Sequence, residues 1–127
     1  MIPEVAAYLD KARECLANAR KISAIGIPSD AARDAYMAGF HSAQAFIFAT
    51  TGKAAKTHSG VRTEFARLAK ADTRIDKSLP AFLGKAYELK SIADYGISPN
   101  IRVSAGDAVS AIETAAMFIE RVDQLLK

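Results

Sequence analysis

The chain has 127 residues, close to the usual size of one domain, and half of them are apolar, so it can bury a core without disulfides or metals and is not a disordered segment. Its net charge of +3 permits contact with RNA but does not argue for it, because a nucleic-acid site needs clustered basic residues. The lone Cys15 rules out an internal disulfide, and no apolar run approaches the ~20 residues that span a bilayer, so a reducing cytoplasm and no membrane contact are expected.

The first helix is predicted from about Glu4 to Ile22. Val5, Tyr8, Ala12, Cys15, Ala19 and Ile22 recur at three- and four-residue steps, the stripe of an amphipathic helix. Pro3 suits its first turn, where a missing N–H costs nothing. Cys15 reads as a small buried hydrophobe on that stripe. Glu4, Asp10 and Glu14 interrupt any secretory signal. Gly26, Pro28 and Ser29 break the pattern.

The second helix is predicted to start at Ser29 or Asp30, either of which can act as N-cap, and to end at Thr51 before Gly52. One face carries Ala32, Tyr36, Phe40, Ala43 and Ile47; the other carries Arg33, Met37, His41, Gln44 and Phe48. A helix that is apolar on nearly every side is buried. The histidine in its middle therefore requires a partner.

Lys53 and Lys56 lie in a short basic loop. The third helix is expected from about His58 to Ala71, capped by Thr57 or Ser59, with Val61, Phe65 and Leu68 facing inward. The fourth runs from about Ser78 to Tyr95, with Pro80 in its first turn and Leu79, Phe82, Leu83, Ala86, Leu89, Ile92 and Ala93 on the core side. Gly96 ends it, and Pro99 with Asn100 prevents a restart. The fifth begins at Ser104, which forms a capping box with Asp107, and its stripe is Ala108, Ile112, Ala115, Ile119, Val122 and Leu126. Short connections make consecutive helices antiparallel neighbours. The expected fold is thus all-α: one up-and-down antiparallel bundle of four to five helices, a single domain over residues 1–127.

Several segments carry a family resemblance. They are Tyr36-x-x-x-Phe40-His41, the Thr-Gly-Lys turn at 51–53, Thr57-His58-Ser59-Gly60-Val61-Arg62 followed by Phe65, and Leu89-Lys90-x-x-Ala93-Asp94-Tyr95-Gly96. Over roughly residues 4–126 the chain resembles a HEPN domain, closest to the small stand-alone HEPN proteins often paired with minimal nucleotidyltransferases. The resemblance implies a helical bundle and a homodimer. Many HEPN proteins are metal-independent ribonucleases whose site is an Arg followed after four to six residues by His. Others lack this pair and bind a nucleotidyltransferase partner.

This chain departs from the ribonuclease pattern. Seven residues separate Arg33 from His41, and eight positions of helix rise ~12 Å, too far for direct contact. No Arg precedes His58 at the required spacing; Arg62 follows it. Lys90 stands where the family often has Arg, with Asp94 and Tyr95 but no His after it.

Three groups of residues remain as candidates. Arg33, Tyr36, Met37, His41, Gln44, Asp94 and Tyr95 would line a partner or substrate cleft; His41 alone reads more simply as a packed histidine. Lys53, Lys56, Thr57, His58, Ser59 and Arg62 surround a helix start, whose free N–H groups attract anions; solvated surface charge, with His58 as a first-turn residue, is the plainer account. His41 and His58 are weak catalytic candidates. Asp94 opposes the dipole at its helix end and is expected to pair with Arg33 or Arg102, or to serve a partner; Lys90 one turn earlier can make a helical ion pair. Two separated histidines and one cysteine give no metal spacing, and no cofactor motif occurs.

The leading expectation is a non-catalytic HEPN-like bundle acting through protein contact, a homodimer associating with a minimal nucleotidyltransferase in a toxin–antitoxin-like or substrate-binding role. The alternatives are a metal-independent ribonuclease toxin with a variant site, and a bundle that binds a nucleotide or another anion.

Overall fold

The computed structural model describes residues 1–96 and 102–127, which form five helices with no strand among them. These are α1 (Pro3–Ala24), α2 (Pro28–Thr51), α3 (His58–Ala71), α4 (Ser78–Tyr95) and α5 (Ala105–Leu125). The all-α bundle is the expected one, and most of its ends fall where local chemistry puts them. Gly52 takes a left-handed φ of 73° and donates its N–H to the Phe48 carbonyl, closing α2. Thr57 Oγ1 accepts the Gly60 N–H at 3.0 Å, so Thr57 rather than Ser59 caps α3. Ser104 and Asp107 form the reciprocal capping box. Gly96 ends α4 without a left-handed φ. The expected stop at Pro99 and Asn100 lies outside the described residues.

The start of α2 differs from expectation. The helix begins at Pro28, and Ile27 occupies the cap position with no side-chain hydrogen bond. Pro28 has no N–H to satisfy, which makes a cap less necessary. Asp30 is free to turn instead to Arg33, 3.0 Å away.

Helix α2 packs against all four others and is the hub of the bundle. Its turns place Tyr8 of α1 against Phe48, and Phe82 and Leu83 of α4 against Gly39. A Cβ at Gly39 would lie 2.6 Å from the Phe82 ring, so glycine there lets the ring lie on the helix backbone. Below it, Phe46, Phe65, Phe118 and Phe82 form a chain of rings with centroids 5.1 to 6.1 Å apart, joining α2, α3, α5 and α4. Cys15 is buried on α1 as a small apolar residue, and burial pushes its thiol pKa up. Among the described residues, no helix is long and apolar enough to cross a membrane.

The antiparallel rule holds between α1 and α2, between α3 and α4, and between α4 and α5, but not between α2 and α3. His58, the first residue of α3, lies beside Tyr36 and Phe40, whereas Phe65 lies beside Phe46. The two helices therefore run in the same direction. The reason is the connection 52–57, which climbs back along α2 instead of turning at its end. A rise from Gly52 back to Phe40 is ~18 Å of helix, within reach of six extended residues at ~3.3 Å each. Gln44 pins that climb by donating from Nε2 to the Ala55 carbonyl at 2.8 Å.

Candidate functional site

The Gln44 anchor accounts for the histidine in the apolar helix. Gln44 Nε2 is the donor to Ala55, so Oε1 faces His41 and accepts from Nδ1 at 2.7 Å. His41 is thus Nδ1-protonated when neutral and orients the amide that holds the loop. Burial is the largest cause of its lowered pKa. Met37 and Phe48, on the same face, are half-buried against the core.

The loop delivers His58 to a second place. Its Nδ1 lies 2.8 Å from the Tyr36 hydroxyl, a contact between residues 22 positions apart. Tyr36 is fully buried and packs on Phe40 and Tyr87; burial pushes its pKa up to about 12. The phenol therefore keeps its proton at neutral pH and donates to Nδ1. That fixes the neutral imidazole as the Nε2–H tautomer. Tyr87 lies beside the imidazole, ring centroids 5.5 Å apart, and carries the Arg62 guanidinium 4.1 Å above its ring. Arg62 Nε also donates to the His58 carbonyl at 3.3 Å. The His58 pKa is lowered first by burial, then by the positive charges of Lys90 and Arg62.

The same helix α4 carries the third feature. Asp94 Oδ1 accepts from Arg33 Nε, and Oδ2 accepts from Lys90 Nζ, both at 2.6 Å. Arg33 continues to Asp30. Of the two expected cross-helix partners, Asp94 takes Arg33; Arg102 is exposed. The Lys90 hydrogen bond and the Arg33 pair hold the Asp94 carboxyl below the usual range. Tyr95, next in sequence, is 78% exposed.

The expected cleft is therefore divided. Arg33 and Asp94 meet at the end of the bundle where α2 starts and α4 stops. His41 and Gln44 serve the return loop, and Tyr36 belongs with His58. In the expected anion site, Lys53, Lys56 and Ser59 are exposed, Thr57 is the cap, and only His58 and Arg62 come together. Sequence reasoning missed Tyr87 and underused Lys90. Their signal was the spacing Tyr87, Lys90, Asp94, steps of three and four that share one helix face.

Two expectations follow. Tyr36→Phe removes the donor to Nδ1, should cost about 1–2 kcal/mol in thermal or urea unfolding, and should raise the His58 pKa, since the lost bond favours the neutral ring. Retention of the Nε2–H tautomer and of the wild-type pKa by NMR would contradict that role for Tyr36. Both histidines have folded pKa values below the unfolded one. Their contribution is present above about pH 6.5 and is lost as pH falls below it, so the melting temperature should decline from about pH 6.5 downward. Replacing both by Gln should flatten that part of the curve.

Comparison with known proteins places this geometry in context. A family model described as HEPN domain matches residues 5–125. A curated protein of Methanocaldococcus jannaschii, named "Putative toxin MJ0605", is 31% identical over 124 residues, covering 98% of this chain and 90% of that relative.

Proposed function

The chain belongs to the HEPN domain family, and from that membership we propose that residues 1–127 act as one helical unit through protein contact, as a homodimer that associates with a minimal nucleotidyltransferase in a toxin–antitoxin-like pair. The observation that carries the reading is the Arg33–Asp94–Lys90 chain. Where the family's ribonucleases have Arg and then His, this chain has Lys90 and then Asp94. An Asp94 carboxylate held ionised by two cations has no proton to give at neutral pH, and both its oxygens are occupied. It orders the end of α4 instead.

That end of the bundle also bears apolar surface. Ile25 and Ile27, in the α1–α2 turn, are 72% and 42% exposed, and Tyr95 lies at the same end. Exposed apolar side chains gathered at one end suit a protein contact. The similarity to a protein named as a toxin supports the toxin–antitoxin class. The test is solution mass by light scattering, alone and after co-expression with a minimal nucleotidyltransferase encoded beside it. A dimer that forms a larger complex is expected; a clean monomer that binds no such neighbour would refute the proposal.

A second reading, a ribonuclease toxin with a variant site, is favoured by one observation: His58 is a neutral imidazole flanked by the cations Arg62 and Lys90. Such a group can move a proton near neutral pH. Growth arrest with RNA cleavage, abolished by His58→Ala but not by His41→Ala, would support it. Intact cellular RNA after expression would sink it.

A further inference from the structure

We infer that the face where α3 meets the second half of α4 binds a phosphoryl group, held by Nε2 of His58, the guanidinium of Arg62 and the amine of Lys90. This goes beyond the partner reading and does not depend on it. It also differs from an anion site at the loop lysines, because Lys53 and Lys56 take no part.

The donors are assembled by packing. Tyr87 is their common floor: the His58 ring lies beside it, Arg62 stacks over it, and Lys90 follows one turn later on α4. Lys90 is close enough for its charge to act on the imidazole. The Tyr36 hydroxyl occupies Nδ1, so the other ring nitrogen carries the proton and is a donor even when the ring is neutral. Among the described residues Nε2 has no hydrogen-bond partner, and Arg62 has no carboxylate partner; its one hydrogen bond is to the His58 carbonyl.

Charge points the same way. The groups around His58 are Arg62, Lys90 and the phenols of Tyr36 and Tyr87, and the nearest carboxylate with a printed contact to any of them is Asp94, already shared between Lys90 and Arg33. One carboxylate against Arg33, Arg62 and Lys90 leaves a positive excess, reduced only by Asp30 at the far side of Arg33. A guanidinium fork, an ammonium and an imidazole N–H match the oxygens of a tetrahedral phosphate better than a single planar carboxylate. The bound anion would in turn favour protonated His58, so binding should strengthen as pH falls through the histidine range. The phosphoryl group could belong to a free nucleotide or to an RNA backbone; both present the same oxygens.

The experiment is an NMR titration of the full chain, reading the His58 and His41 ring resonances at neutral pH with inorganic phosphate, AMP and a short single-stranded RNA as probes. Saturable shifts at His58 but not His41, a raised His58 pKa, and roughly tenfold weaker binding in Arg62→Gln are expected. Preference for AMP would assign a nucleotide, preference for the RNA a phosphodiester backbone. Lys90→Gln serves as a second variant, with its fold checked by thermal melting. An unmoved His58 with all three probes at millimolar concentration would overturn the inference, as would equal affinity in wild type and both variants. Solution mass reads the partner proposal separately, so either can fail alone.

Discussion

Phe118→Ala should lower unfolding stability by about 3–5 kcal/mol, enough to remove a large part of a small domain's total. Phe118 is fully buried on α5, with its ring 5.1 Å from that of Phe65 and 6.1 Å from that of Phe82. Truncation forfeits the transfer free energy of the ring and opens a cavity between three helices. Those helices also meet α2, so the site cannot collapse without moving the hub. The neighbouring Met117 is 56% exposed, and Met117→Ala should cost no more than about 0.5 kcal/mol. Urea unfolding of both variants checks the pair. A lower midpoint at unchanged slope is expected for Phe118→Ala. A loss below about 1 kcal/mol would show that the aromatic chain from Phe46 to Phe82 does not unite the helices.

The elements themselves were legible because each boundary carries its own chemistry. Gly52 stops α2, Thr57 starts α3, and Ser104 with Asp107 starts α5, all through contacts within four residues. Periodicity likewise placed Phe65, Leu83 and Ile119 in the core. The direction of α3 was not legible. It depends on Gln44 reaching the carbonyl of Ala55, an interaction that no period announces. A short polar connection reads as a turn whether it reverses the chain or climbs back along the helix it left.

The site was legible in its parts but not in their grouping. Tyr36 and His58 were singled out for different roles, a cleft and an anion site, yet their side chains are bonded to each other. A buried tyrosine hydroxyl needs a partner, and the candidates within reach were few. Choosing His58 required knowing that α3 begins beside the middle of α2. His41, the more conspicuous histidine, lies in a helix apolar on most sides, and its partner Gln44 is one turn away. The pairing of Asp94 with Arg33 was foreseeable from the helix dipole, because a carboxylate at a C-terminal end needs a cation.

That pairing yields the second large effect. Asp94→Ala should cost about 1.5–3 kcal/mol at neutral pH, the range for hydrogen bonds between charged groups, since it strands two cations whose side chains are 35% and 18% exposed. The sign of its pH dependence follows from the lowered pKa. Stability gained from a depressed carboxyl is present above the unfolded value near pH 3.9 and is lost as pH falls through the folded one. Wild type and variant should therefore differ most at neutral pH and converge in acid, and Asp94→Asn should behave nearly as Asp94→Ala does. A difference that persists below about pH 3 would assign the loss to packing instead. The last turn of α4 should exchange its amide hydrogens faster in the variant, because Arg33 ties that turn to the start of α2. If Tyr95 contributes to partner contact as proposed, Asp94→Ala should weaken the complex by loosening the turn that presents it. Tyr95→Ala should weaken the complex as well but leave stability almost unchanged, since the ring is largely exposed. Loss of stability in Asp94→Ala with an undiminished complex would keep the ion-pair chain as a fold clamp and remove this end of the bundle from the interface.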